Sequence, residues 1–292
     1  MPTRFKILSD FDGVWTETND EADALHRQLI DWCTELRGDR VAVEADIAAF
    51  RREVQQDPGS YGWAPDGRIS AFSDEDPLCE LAGLSDLLAR AESGTALRYR
   101  EAIEGRWDSV RNFAEDAFVT AMIRFRAENP PSIAADAKDQ LRAVTDRGAE
   151  VVVVSNSEPG KLLAWFSAAG IDAGEEPGHE LRIRGSAGKQ VLGGDSTIAV
   201  GDRHVHVDRP RYRRAIEQER PDLIIGDIFS LDLSLPHRMR DEGHPAAPHT
   251  LVLRRHSYSP TWITHDRAAG AIDHMVERFG DLAAVIDPSV ES

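Results

Sequence analysis

At 292 residues, with a formal charge of −17 and 41% hydrophobic residues, the chain can bury one large core or two modest ones and has an ordinary globular composition. Its acidity excludes the basic footprint that non-specific nucleic-acid or anionic-membrane binding needs, and no apolar run approaches the ~20 residues of a membrane-spanning helix. No basic region followed by an apolar stretch marks a signal peptide, and Cys33 and Cys79 are isolated and lack metal spacing, so a cytoplasmic protein with two structural thiols is expected.

The first predicted strand, 5–10 (FKILSD), is apolar at Phe5, Ile7 and Leu8. It then ends in two carboxylates, Asp10 and Asp12, followed by Gly13. Like charges this close repel unless something positive sits between them. Residues 18–130 contain no convincing strand. Apolar residues recur there at helical spacing: Ala22, Leu25, Leu29, Trp32 and Leu36, then Leu78, Leu81, Leu84, Leu87 and Leu88, then Val110, Phe113, Phe118, Met122 and Phe125. Asn19 or Asp20 is the expected N-cap, and Pro130–Pro131 closes the block. One loop, 57–77, is rich in Gly, Pro and Asp and carries Tyr61, Trp63 and Phe72. The block is predicted to be a mostly α-helical insertion emerging just after the first strand.

Beyond it, strand and helix alternate. A helix over 132–147 leads into a strand at 150–155 (EVVVVS), and a second helix covers 159–169. A third, 210–220, precedes a strand at 222–227 (DLIIGD), and a further strand lies at 250–254 (TLVLR). Short β-branched runs bounded by polar residues read as buried parallel strands. The predicted fold is therefore α/β: a doubly wound parallel-sheet core over 1–17 and 131–292, with 18–130 inserted into it. Ligands of such sheets lie beyond the carboxyl ends of the strands. Asp10, Ser155 and Asp227 stand at three such ends.

In that setting the sequence resembles the haloacid dehalogenase-like (HAD) hydrolase superfamily. "DFDGV" at 10–14 is similar to its first motif, "VVVVSNS" at 151–157 to its second, and "LIIGDIFSLD" at 223–232 to the GDxxxxD form of its fourth. The resemblance covers the core and implies a Rossmann-like sheet, with 18–130 matching a C1-type helical cap by position and helicity. The chemistry is also readable from the residues. Asp10, at the strand tip, suits a carboxylate nucleophile that forms an aspartyl phosphate. Asp12 suits the general acid/base, and Gly13 lets the backbone turn away. A cluster of Asp10, the Asp12 carbonyl and Asp227, with Asp232 as a further candidate, calls for a hard cation, Mg²⁺. Ser155 is expected to hydrogen-bond a phosphate oxygen, with Asn156 beside it. The family's third motif is a Lys, and three residues compete for that role: Lys189 first, then Arg209, then Lys161. Arg209 is otherwise a candidate phosphate contact.

Two other patterns carry less weight. "HVHVD" at 204–208 places His204, His206 and Asp208 in alternation, which reads as an exposed strand face rather than a metal site. "IAVGD" at 198–202 rivals the fourth motif but has no acid five residues beyond Asp202. Asp12 favours a phosphatase over a dehalogenase, which needs no leaving-group acid. The absence of lysine from 18–130 argues against a phosphonatase, whose relatives use a cap lysine. The expected activity is Mg²⁺-dependent hydrolysis of a small phosphorylated metabolite. A phosphomutase and a non-catalytic phospho-acceptor are the alternatives. Trp63, Arg100 and its neighbours Arg98 and Arg106, with "HSYSPTW" at 256–262, are candidate substrate contacts.

Overall fold

The computed structural model describes residues 5–131 and 133–286. The chain divides into two compact units, one holding the described residues up to Glu17 and from Pro131 onward, the other Thr18–Pro130.

The first unit is built on a seven-stranded parallel sheet. In chain order the strands of the protein are β1 (Lys6–Ser9), β2 (Gly62–Trp63), β3 (Ala71–Phe72), β4 (Glu150–Val154), β5 (Ala173–Gly174), β6 (Leu181–Arg184), β7 (Thr197–Val200), β8 (Arg203–His206), β9 (Leu223–Gly226), β10 (Thr250–Arg254) and β11 (His274–Val276). The main sheet runs β11-β10-β9-β1-β4-β6-β5. From β1 the chain builds outward through β4 and β6, then returns to add β9, β10 and β11 on the other side. The order reverses between β1 and β9, the position where open parallel sheets bind ligands. Ile7 pairs with Val151 on one side and Leu223 on the other. Both faces of these central strands are covered, so their runs are apolar without alternation. Ile7, Leu8, Val152, Val153, Ile224 and Ile225 have no exposed surface.

All four predicted strands form in the predicted places. Helices α6 (Ala137–Thr145), α7 (Pro159–Ala168), α8 (Pro210–Glu219) and α9 (Ser234–Asp241) complete this unit's longer elements. Strand β6 escaped the sequence reading because LRIR alternates charge with apolarity. Its Arg182 and Arg184 are drawn to the buried Glu219 of α8, at 2.9 and 2.5 Å. "IAVGD" falls in β7 and the following turn, part of a separate antiparallel hairpin with β8. Asp202 there is exposed, which removes it as a rival fourth motif.

The second unit is helical: α1 (Asn19–Arg37), α2 (Arg40–Gln56), α3 (Pro77–Arg90), α4 (Gly94–Glu104) and α5 (Val110–Glu128). Leu25, Leu29, Ile47, Phe50, Leu84, Tyr99 and Phe113 share its core. Two details differ from expectation. The first helix is capped at Thr18 rather than at Asn19 or Asp20, and the Thr18 hydroxyl makes no cap bond. It donates instead to Asp76 Oδ2 at 2.8 Å, while Asp76 Oδ1 caps α3 through Leu78 and Cys79. The 57–77 loop also contains a strand pair, β2 with β3. Gly62 sits so close to the Ala71 carbonyl, 2.1 Å from where a Cβ would stand, that no other residue fits. Cys33 and Cys79 are buried free thiols, and burial pushes Cys33 up to about 12. Among the described residues no helix is long and apolar enough to cross a membrane.

Candidate active site

The parallel register brings the ends of β1 and β9 together: the Asp10 backbone N–H donates to the Ile225 carbonyl at 2.9 Å. Asp10 and Asp227 follow these two strands directly. Their carboxylates, with that of Asp232, each offer an oxygen within 4.8 Å of the others. This is the only group of three or more His, Cys, Asp or Glu with metal-binding geometry among the described residues, so His204, His206 and Asp208 form none.

Glycines make the crowding sterically possible. Gly13 has φ +75°, and a Cβ built on it would lie 1.9 Å from Asp227 Oδ2. The glycine is therefore required twice, once for the left-handed turn and once for the approach of a carboxylate. At Gly226 a Cβ would fall 2.3 Å from the Asp232 Cβ. Asp232 lies in a π-helical turn, Phe229–Leu233, which carries it back toward its own strand. Gly13→Ala should cost about 1–2 kcal/mol from the backbone alone and displace Asp227. Thermal melting reads the first effect and a divalent-cation titration the second. An unchanged cation affinity would show that Asp227 does not need this glycine.

Lys189 stands among these acids. Its Nζ donates to Asp10 Oδ1 and Asp232 Oδ1, each at 2.7 Å, and the side chain is 2% exposed. Attraction to the two carboxylates outweighs the cost of burying it, so its pKa is raised. Burial pushes Asp10 up to about 7, with the Asp232 charge adding and the Lys189 charge opposing. Without a cation the site thus resists ionising its own β1 carboxylate. A carboxylate set of this kind, Asp10, Asp227 and Asp232, is suited to a hard dication. Asp232 already accepts from Lys189 and, through Oδ2, from the Ile228 N–H at 3.1 Å. It is thus a charge partner to Lys189 as well as a member of the carboxylate group.

Asn156 and Arg209, expected at the phosphate, each hold the Lys189 backbone. Asn156 Oδ1 accepts the Lys189 backbone N–H at 2.7 Å, and the fully buried Arg209 donates to the carbonyls of Lys189 and His206. The two clamp the lysine's backbone from either side. The 185–189 loop is further tied to the end of β4 by Ser186 N–H to the Ser157 carbonyl and Ala187 N–H to the Ser155 carbonyl, both 2.9 Å.

Asp12 is partly exposed. Its Oδ2 accepts from the hydroxyls of Ser157 at 2.7 Å and Ser155 at 3.4 Å, and its Oδ1 from Lys161 Nζ at 2.7 Å. Ser155 also accepts the Ser157 N–H. Trp63 and Arg100 belong to the helical unit. Trp63 pairs with Ala71, and the Arg100 guanidinium donates to Glu104 and to the Ala91 carbonyl.

Four further side chains stand near the cluster. Ser157 and Lys161 both bind Asp12. Tyr212 donates its hydroxyl to the Asp232 carbonyl at 3.0 Å. His256, after β10, donates Nε2–H to the Gly13 carbonyl at 2.8 Å, with Asp227 Oδ2 3.7 Å away. Burial and the Arg254 charge push His256 down to about 4, which keeps the ring neutral. Ser157 lies inside the second motif, Lys161 was a candidate for the third, and His256 opens the HSYSPTW stretch, so only Tyr212 had no sequence signal. Their contacts are set by the sheet order.

No family model and no curated protein matches the chain. Solved structures similar to it are HAD-like hydrolases. They include the HAD-hydrolase YfnB of Bacillus subtilis, described as bound to magnesium, at 12% identity and TM-score 0.43 over 97% of this chain and 98% of that one. SP0104 of Streptococcus pneumoniae, a haloacid dehalogenase-like family protein, is similar at 9% identity and TM-score 0.45, over 98% and 100%. CbbY of Rhodobacter sphaeroides is similar at 13% identity and TM-score 0.45, over 96% of each chain.

Proposed function

We propose that this protein is a Mg²⁺-dependent HAD-type phosphatase that hydrolyses a small phosphorylated metabolite through an aspartyl phosphate on Asp10. The observation that carries the reading is the convergence of Asp10, Asp227 and Asp232 beside the ends of β1 and β9, with the Lys189 ammonium on Asp10 and Asp232.

In the first half-reaction Asp10 attacks phosphorus. The bond from phosphorus to the leaving oxygen breaks, its electron pair stays on that oxygen, and Asp12 supplies the proton. In the second, water attacks phosphorus and gives a proton to Asp12. The acyl phosphate bond then breaks, and its electron pair returns to the Asp10 carboxylate. Lys189 offsets the negative charge gathered at Asp10 throughout, and Ser155 donates to a phosphate oxygen. Asp10, the Asp12 carbonyl and Asp227 would hold Mg²⁺, which would supply positive charge for the phosphoryl oxygens.

The test is hydrolysis of p-nitrophenyl phosphate and a panel of phosphorylated metabolites by the folded protein, with and without Mg²⁺. Turnover that requires the ion supports the reading. Absence of turnover on every substrate overturns it. A durable phosphoryl adduct in the intact mass after acetyl phosphate would instead mark a non-catalytic acceptor.

A further inference from the structure

Lys161 is one of only four lysines in the chain, and a second lysine already serves Asp10. It lies in the first turn of α7, just after the second motif. Its side chain is 6% exposed, and its ammonium sits 5.7 Å from the ring centroid of Phe11 and 5.1 Å from that of Trp165. Burying an ammonium costs several kcal/mol unless it is paired with good geometry. Here the pairing is with Asp12, which remains accessible enough to meet a substrate.

Phe11 precedes Asp12 and packs edge-on against Trp165 and Phe166 of α7. The helix, the aromatic residue and the acid therefore form one assembly. We infer that Lys161 is a positioning residue for Asp12: its ammonium on Oδ1, with the Ser157 hydroxyl on Oδ2, holds the carboxylate in one orientation for proton transfer to the leaving oxygen. A carboxylate fixed at both oxygens cannot rotate away from the strand tip, and small misplacements of a proton donor are costly. The inference rests on the phosphatase reading.

The expected signature lies in leaving-group dependence. An alkoxide leaves only with a proton, whereas p-nitrophenolate departs as the anion. The parameter kcat/KM reports the first half-reaction, so it isolates the acid step from the later water attack. Replacing Lys161 by Met keeps the apolar stem. Lys161→Met should lower kcat/KM for ethyl phosphate relative to p-nitrophenyl phosphate by about 10-fold or more. Asp12→Asn should shift the same ratio further, and the double variant should be no worse than Asp12→Asn alone. Ser157→Ala is the milder lesion and should move the ratio in the same direction, while Lys161→Arg should restore part of it.

Equal losses on both esters, an unmoved ratio in both Lys161→Met and Ser157→Ala, or multiplying effects of Lys161→Met and Asp12→Asn would each overturn the positioning role. A wild type that hydrolyses only the aryl ester would overturn it too, by removing the acid step it serves. A wild type inactive on both esters and on the metabolite panel would instead overturn the phosphatase reading, and this inference with it.

Discussion

Asp10→Asn is expected to abolish turnover, by about 10⁴-fold or more, because an amide cannot serve as the phosphoryl acceptor. The same change should leave the protein folded, and in the absence of Mg²⁺ more stable than the wild type at alkaline pH. The sign follows from the raised pKa. Asp10 titrates near 3.8 when unfolded and at about 7 when folded. Its contribution to stability is fully present below the unfolded value and is lost as pH climbs to about 7. The lost contribution is of the order of a few kcal/mol. Asparagine mimics the protonated acid and does not titrate. The difference in melting temperature between variant and wild type should therefore grow in the variant's favour between pH 4 and 7 and level off above. Added Mg²⁺ should narrow the gap by stabilising the wild type. A gap that stays flat across this range would show that Asp10 is not held in a disfavoured charged state.

Lys189→Met is expected to be the most destabilising single change in the core. It removes the ammonium that Asp10 and Asp232 share at 2.7 Å and leaves both acids with little solvent. Breaking a buried pair in this way costs about 3–5 kcal/mol, on the order of 10 °C in melting temperature for a protein of this size. The loss should be larger at pH 8 than at pH 5, where a carboxyl can take up a proton instead. Turnover should fall as well, since nothing then offsets the charge gathered at Asp10. The variant keeps the length of the lysine stem, so a cavity contributes little, but it loses the ammonium that stands 5.2 Å from the Tyr212 ring centroid. An unchanged melting temperature would mean that the pair contributes nothing to the fold.

Much of the architecture was legible because buried parallel strands announce themselves. FKILSD, EVVVVS, DLIIGD and TLVLR each form in place, since a strand covered on both faces must be apolar throughout. Strand β6, between β4 and the edge strand β5, was not legible. LRIR exposes arginines on one face, and their partner Glu219 comes from a helix almost forty residues later. The cap at Thr18 was missed for a related reason: its hydroxyl is claimed by Asp76, a partner that sequence proximity does not reveal. Asn156 and Arg209 were expected at the phosphate by position; that Asn156 Oδ1 and the Arg209 guanidinium both hold the Lys189 backbone was not legible from spacing.

From sequence order alone came the acids themselves, their strands, and the glycines beside them, because strand periodicity and turn chemistry are local. Which cation meets which acid was decided only by the tertiary structure. Sequence order put Lys189 ahead of Arg209 and Lys161 for the charge beside Asp10 but gave Lys161 no acid to meet. The sheet order sets Lys189 between Asp10 and Asp232, and the first turn of α7 delivers Lys161 to Asp12. Electrostatic pairing depends on distance in space, and that distance is fixed by the parallel pairing of β9, β1 and β4 rather than by spacing in the chain.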